Sequence, residues 1–252
     1  MDVNQAGALN LAGFVRSTAG RIGSVADIRG GVVVAGPVAV PNAYVNTAIP
    51  TDQGASDAEF FDDAISFFSG LERAFVVWAP VSDSSFAAEA SRRNLVVDSE
   101  PSPAMVISAP TKSPAGLLFR LVDDEQSAAI FGDLCERGYE KPGMAWLMAH
   151  QQGYSAPDTY WHIGFDGQVP VSAACGYLSG ETGGIYSVAT PAEFRGRGFA
   201  AMVTSEATNH LFGLGVSRVV LQASKLGFGV YERLGFSVYD HFERFTIPVR
   251  AD

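Results

Sequence analysis

Apolar residues recur at helical spacing in some stretches of the chain and form short β-branched or aromatic runs in others. Residues 4–22 and 57–70 follow the helical period, whereas residues 32–34 and 74–78 have the composition of buried strands. This alternation predicts a fold of the α/β (α+β) class. Further elements of the first half are expected as strands over residues 43–48, 95–97 and 103–107 and a helix over residues 84–93.

The second half of the chain repeats this order of elements, which predicts two copies of one unit. A chance likeness is the alternative, because helices and strands alternate in many folds. The polar, proline-flanked segment 110–114 marks the boundary and divides the chain into residues 1–112 and 113–252. The expected elements are helices over residues 127–139, 144–152 and 200–212, a short helix ending in the segment 231–236, and strands over residues 160–165, 169–177, 185–188 and 218–224.

Length and composition agree with two globular domains and exclude several classes of protein. The 252 residues are 47% apolar and carry a formal net charge of −10, with only 17 Lys and Arg, so a nucleic-acid-binding surface is not expected. No long apolar run or secretory leader is evident, which predicts a cytoplasmic protein without a membrane partner. Cys135 and Cys175 lack zinc or disulfide spacing and are expected to be buried thiols.

A glycine-bearing run lies where a strand of the second half gives way to a helix. Gly196 and Gly198 allow close approach to the main chain, and the helix that follows presents N–H groups without intrahelical partners. Arg195 and Arg197 add positive charge. The run therefore predicts an anion-binding site, although a tight turn with two solvated arginines is the alternative.

Two motifs in this segment carry a resemblance to a known family. Arg195, Gly198 and Ala200 match the pattern Q/R-x-x-G-x-G/A, and the segment 231–236 ends in the pattern Y-x-x-x-G-F. The segment resembles the acetyl-CoA-binding core of the GNAT N-acetyltransferases, and the resemblance covers about half of the chain. It implies two GNAT-like domains, each with a mixed central β-sheet flanked by helices. The first half lacks both motifs and has Arg93-Asn94-Leu95 where Gly-Phe would close a functional copy, so it is expected to be degenerate and without a cofactor site.

The resemblance also implies a co-substrate, acetyl-CoA, and a set of residues that bind it. Main-chain N–H groups of residues 197–200 would hold the pyrophosphate, and the strand edge at residues 188–190 would pair with the pantetheine. Tyr231 would protonate the leaving thiolate; a role in packing alone is the alternative. Ser224 stands where the family commonly has asparagine. The expected cofactor-binding residues are Val188, Ala189, Thr190, Arg195, Gly196, Arg197, Gly198, Phe199, Ala200, Ser224 and Tyr231.

The general base and the acceptor are left open by the sequence. The strand preceding the glycine run has no carboxylate, and Glu181, His162 and His241 are weak candidates for the base. His210 is expected on an exposed helix surface, and no residue cluster has the spacing of a metal site. The expected function is direct acetyl transfer to a primary amine, either a small molecule or a peptide N-terminus, by a monomer or homodimer. The alternative is a non-catalytic acyl-CoA sensor or scaffold.

Overall fold

The computed structural model describes residues 1–37, 45–52, 54–98, 100–112, 116–150 and 153–248. The chain forms two compact units, one of Met1–Ala104 with Val238–Asp252 and one of Met105–Ser237. This division differs from the predicted one at residues 112 and 113. The first unit ends eight residues earlier in the chain, and it includes the C-terminal strand, which the sequence placed in the second domain.

In the described residues, the first unit contains five strands in the order β1-β2-β3-β4-β11. Strands β3 and β4 are parallel, with Thr47 opposite Val76, and the other neighbouring pairs are antiparallel. Its elements are α1 (Val3–Ser17), β1 (Ser24–Ile28), β2 (Gly31–Ala35), β3 (Asn46–Pro50), α2 (Asp57–Ser69), β4 (Phe75–Pro80), α3 (Ser84–Arg92) and β11 (Ser237–Ile247).

Helix α2 shows how the sequence builds this unit. The Ser56 hydroxyl caps its start by accepting the Glu59 N–H across 3.4 Å, and Gly70 follows its last residue. Phe60, Phe61, Ala64 and Phe68 of this helix are buried, and Phe68 stacks on Phe75 of β4 with ring centroids 4.2 Å apart. An aromatic core therefore stabilises the first unit through the hydrophobic effect.

The second unit is a sheet in the order β5-β10-β9-β8-β7-β6. Strands β9 and β10 are parallel, whereas β6, β7, β8 and β9 form an antiparallel series. Its elements are β5 (Ser102–Ile107), β6 (Leu118–Leu121), α4 (Glu125–Tyr139), α5 (Met144–His150), β7 (Thr159–Asp166), β8 (Val169–Ser179), β9 (Thr182–Ala189), α6 (Phe199–Gly213), β10 (Arg218–Gln222) and α7 (Phe228–Arg233).

Several predicted elements require correction. Residues 95–97 form no strand; Val97 makes a single bridge to Phe245. Strands β1, β6 and β11 were not predicted, and β11 joins the first unit because Phe242–Ile247 pair antiparallel with β4. Residues 43–44 and 151–152, part of a predicted strand and helix, lie outside the described residues. Within the described ranges no helix is long and apolar enough to cross a bilayer.

Candidate cofactor site

A β-bulge in β9 shapes the site. Ala189 lies opposite Ala173 and Tyr186 lies opposite Cys175, so β9 carries one extra residue between these pairs. Ser187, within that interval, has a φ of +51°. A bulge bends its strand and strengthens its twist. The sequence did not indicate this feature, because serine has no particular preference for the left-handed region.

The bulge coincides with the separation of β9 from β10. Arg218–Val220 pair in parallel with Thr182–Gly184, and no described residue of β9 beyond Gly184 pairs with β10. Strand β9 nevertheless continues to Ala189. We call the space between the two strands past this point the β9–β10 opening. It leaves main-chain groups of residues 188–190 at a strand edge, where an extended ligand could pair with them.

The loop after β9 has a conformation that requires glycine. Gly196 and Gly198 have φ values of +78° and +82°, in the left-handed region. A Cβ atom at Gly196 would have nothing within 4 Å, and one at Gly198 would lie 3.8 Å from Met202 Cε. The space over this loop is therefore open, and the main chain is accessible to a ligand.

The start of α6 is suited to an anion. Gly198 is the N-cap residue and supplies no side-chain hydrogen bond, and the first turn contains no acidic residue. The first N–H groups of a helix have no intrahelical partner and carry partial positive charge. Residues 198–201 thus present N–H groups that could donate hydrogen bonds to a pyrophosphate.

The two arginines of the glycine loop differ in their roles. Arg195 donates from Nε to the Thr190 carbonyl at 3.0 Å and from Nη2 to the Gly138 carbonyl at 2.8 Å. Arg197 pairs with Asp166 at 2.7 Å, and its guanidinium lies 4.5 Å from the centre of the Phe199 ring. The guanidinium of Arg195 therefore links the glycine loop to the end of β9 and to α4.

Gly138 is a residue that the sequence did not single out. A Cβ atom there would lie 2.9 Å from Ala189 Cβ and 3.0 Å from the Thr190 nitrogen. This helical glycine of α4 lets the helix approach the end of β9, where its carbonyl meets Arg195. A glycine near the end of the predicted helix was the only sequence signal for this contact. The strand that Gly138 contacts is about 50 residues away in sequence, so the signal did not identify it.

Tyr231 lies buried on α7, within the apolar cluster of the second unit. Its ring centroid is 6.1 Å from that of Phe236, and a Cβ atom at Gly227 would come within 2.8 Å of its ring. Gly227 thus makes room for the ring. Exposed Ser224 shapes the preceding turn, because its hydroxyl accepts the Gly227 N–H at 3.1 Å.

The three candidates for the general base lie on different parts of the structure. Glu181 precedes β9, at the opposite end of that strand from the bulge, which is about 20 Å away at ~3.3 Å per residue. His241 is on β11, which belongs to the first unit. His162 is on β7 in the second unit and is buried.

His162 forms a pair with His210 of α6, which is partly buried and not on an exposed face as predicted. His162 Nε2 and His210 Nδ1 are 3.1 Å apart. Burial, and secondarily the nearby His210, lowers the pKa of His162 to about 3. Burial also lowers the pKa of His210. The pair is neutral at physiological pH.

The two cysteines are buried free thiols, as predicted. Burial raises the pKa of both Cys135 and Cys175, so neither is a ready thiolate nucleophile. In the described part of the chain, no group of three or more His, Cys, Asp or Glu residues is arranged to hold a metal ion.

Comparison with known proteins gives the fold a family context. Residues 127–236 match the model of the Acetyltransferase (GNAT) family. A search of curated protein sequences found no match to the chain. The matched segment contains most of α4, the bulged strand, the glycine loop and α7.

Solved structures extend the likeness to nearly the whole chain. A GCN5-related N-acetyltransferase from Kribbella flavida superposes with a TM-score of 0.74 at 17% identity, over 98% of this chain and 96% of that one. One from Sphaerobacter thermophilus gives 0.61 at 16% identity, over 88% and 82%. A tandem GNAT protein from the clavulanic acid biosynthesis pathway gives 0.64 at 13% identity, over 88% and 80%. The predicted fold of helices around a central mixed sheet is confirmed.

Proposed function

We propose that the protein is an acetyl-CoA-dependent N-acetyltransferase that transfers an acetyl group to a primary amine by direct attack in a ternary complex. The observation that carries the proposal is the glycine loop. Gly196 and Gly198 hold left-handed conformations with open space above them, directly before the uncapped start of α6.

The residues of the second unit fit acetyl-CoA as a substrate. The pyrophosphate would accept hydrogen bonds from the main-chain N–H groups of residues 197–200. The pantetheine would lie along the strand edge at residues 188–190, beside the β9–β10 opening, and its amides would pair with the main chain there. Ser224 would contribute only at the exposed turn that it already stabilises.

The transfer needs no covalent intermediate on the enzyme. The amine nitrogen attacks the acetyl carbonyl carbon, a C–N bond forms and the C–S bond breaks. The leaving thiolate takes a proton, for which the Tyr231 phenol is our candidate donor, and the amine nitrogen gives one up to solvent. The two thiols are buried and protonated, and neither is suited to attack.

The test combines calorimetric titration of acetyl-CoA with release of free CoA thiol on a panel of amino acids, amino sugars and peptides. Saturable binding together with amine-dependent thiol release is the expected result. Failure of acetyl-CoA to bind would reject the site itself.

A second candidate is an acyl-CoA sensor or scaffold without turnover. The observation that favours it is the absence of any Asp or Glu between residues 182 and 190, the whole of β9 and the residue after it. Tight acetyl-CoA binding without thiol release on the full panel would support the sensor over the transferase.

A further inference from the structure

Gln222, the last residue of β10, is partly buried, and both polar atoms of its amide are buried without a hydrogen-bond partner among the described residues. Neither Oε1 nor Nε2 makes a hydrogen bond to any described residue. Burying a polar group without a partner costs free energy, and proteins rarely leave both ends of an amide in that state. Such a group needs an explanation outside the packing of the chain itself.

The alternation of side chains along β10 places Gln222 on the face of the sheet that is turned away from α6, the helix that follows the glycine loop. Val219 and Leu221 belong to the apolar cluster that packs on α6, together with Val203 and Ala207 of that helix. Side chains alternate between the two faces of a strand. Gln222 therefore projects from the other face of the sheet.

The strand register places Gln222 at the β9–β10 opening. Val220 lies opposite Gly184, the last pair of the parallel register. The same register carried two residues further puts Gln222 level with Tyr186, immediately before the bulge at Ser187. Gln222 is thus at the point where the two strands separate, beside the strand edge along which our proposed function places the pantetheine.

We propose that Gln222 contacts the acceptor amine and sets which amines react. This inference rests on the proposed acetyltransferase function. Its Oε1 accepts an N–H of the amine and orients the nitrogen lone pair toward the acetyl carbon, and Nε2 donates to a neighbouring oxygen of the acceptor. A carboxamide takes up no proton, so Gln222 aligns the nucleophile and leaves deprotonation to water.

This chemistry favours one class of acceptor. No Asp or Glu occurs at residues 184–190 or 219–224, so the opening contains no carboxylate from either strand to hold or deprotonate an ammonium ion. An α-amino group has a pKa of ~7.7–8.0 and is partly neutral at pH 7.5, whereas a lysine ε-amino group, at ~10.4, is almost fully charged. The proposed acceptors are therefore α-amines, in amino acids or at peptide N-termini.

The experiment compares wild type, Gln222→Leu and Gln222→Glu with two probes, alanine amide and Nα-acetyl-lysine amide, at pH 7.5. Wild type is expected to favour the α-amine by at least ~100-fold in kcat/KM, the ratio of the neutral fractions. Gln222→Leu should lower kcat/KM for alanine amide at least ~10-fold, while the Kd for acetyl-CoA is unchanged. Gln222→Glu should reduce the preference for the α-amine over the lysine ε-amine, because a carboxylate can hold the lysine ammonium and take its proton.

Thermal unfolding separates this role from a structural one. Gln222→Leu replaces an unpartnered buried amide by an apolar group of similar size, so its Tm should equal or exceed that of wild type. A clear fall in its Tm, or an unchanged kcat/KM, would overturn the assignment of Gln222. A wild type that prefers the lysine probe would do the same. A wild type that binds acetyl-CoA but acetylates neither probe nor any amine of the panel would reject the transferase itself, and this assignment with it.

Discussion

Arg195 donates from Nε to the Thr190 carbonyl oxygen across 3.0 Å and so joins the two ends of the segment between β9 and the glycine loop. The same guanidinium reaches the Gly138 carbonyl on α4. Through these contacts Arg195 stabilises the loop whether or not a ligand is bound. They also explain how a loop with two left-handed glycines can hold a single conformation.

We predict that Arg195→Ala destabilises the protein by about 1–3 kcal/mol and weakens acetyl-CoA binding by about 10-fold, since the loop loses charge-assisted hydrogen bonds. Arg197→Ala is the matched control. Its pair with Asp166 is about half exposed, so its loss should change stability by less than about 1 kcal/mol. Chemical denaturation and calorimetry measure both quantities, and a larger stability loss in the control would contradict the bracing role.

Gly198→Asp should weaken acetyl-CoA binding at least ~30-fold. The substitution strains a residue with a φ of +82° and adds a negative charge where the pyrophosphate is proposed to bind. Gly213→Ala, in the last turn of the same helix and without close neighbours, is the control and should bind normally. Equal calorimetric affinity of wild type and Gly198→Asp would refute the site.

The sequence predicted these elements to different degrees. It placed α2 and α6 within about a residue of their ends, because capping residues and helical spacing are local signals. It missed β11, which carries Asp240, Glu243 and Arg244 among its apolar residues and whose partner β4 is some 160 residues distant. A strand defined by so remote a partner has little local signature.

The candidate site divides in the same way. The glycines of the loop could be found from the sequence, because their backbone requirement limits the residue type. The bulge at Ser187 and the orphaned amide of Gln222 could not, since each depends on how neighbouring strands align.

Tyr231→Phe should lower turnover at least ~10-fold and leave the Kd for acetyl-CoA nearly unchanged, the pattern of a group that acts as the thiolate departs. Tyr160→Phe is a matched control, since its hydroxyl donates to the Pro157 carbonyl at 3.3 Å, outside the proposed site. Steady-state kinetics with the best acceptor decides the question. Turnover equal to wild type would assign Tyr231 to packing.

His162 should make stability depend on pH below neutrality. Its folded pKa, about 3, is below the unfolded value of ~6.5, so the unfolded chain gains a proton that the folded chain does not. The stability that neutral His162 contributes is therefore complete above pH 6.5 and is lost as pH falls toward 3, by at most ~1.4 kcal/mol per pH unit. Denaturation at pH 6.5 and 5 should show this slope.

The matched variants for this prediction are His162→Asn and His241→Asn. The first should flatten the slope between pH 6.5 and 5, where most carboxylates are still ionised. The second removes an exposed histidine of β11 and is the control for the loss of a histidine outside the buried pair. A full slope in His162→Asn would mean that other groups set the pH dependence.

The first unit should bind no acetyl-CoA, although it repeats the arrangement of strands around the candidate site. Its parallel pair β3 and β4 encloses α2 in sequence, as β9 and β10 enclose α6. The start of α2 differs from that of α6, because Ser56 caps it and Asp57 and Glu59 occupy its first turn. These groups satisfy the helix end and repel a pyrophosphate.

A small cleft does lie at this position, but its charged lining residues are Asp52, Asp57 and Asp83. Titration of the whole chain should therefore give one acetyl-CoA per protein. The full chain is the proper sample, because a fragment ending at residue 112 would lack β11, which pairs with β4. Gly198→Asp isolates the first unit: if wild type binds two equivalents of acetyl-CoA and this variant retains one of them, the cleft is a second acetyl-CoA site and the expectation of a degenerate half is wrong.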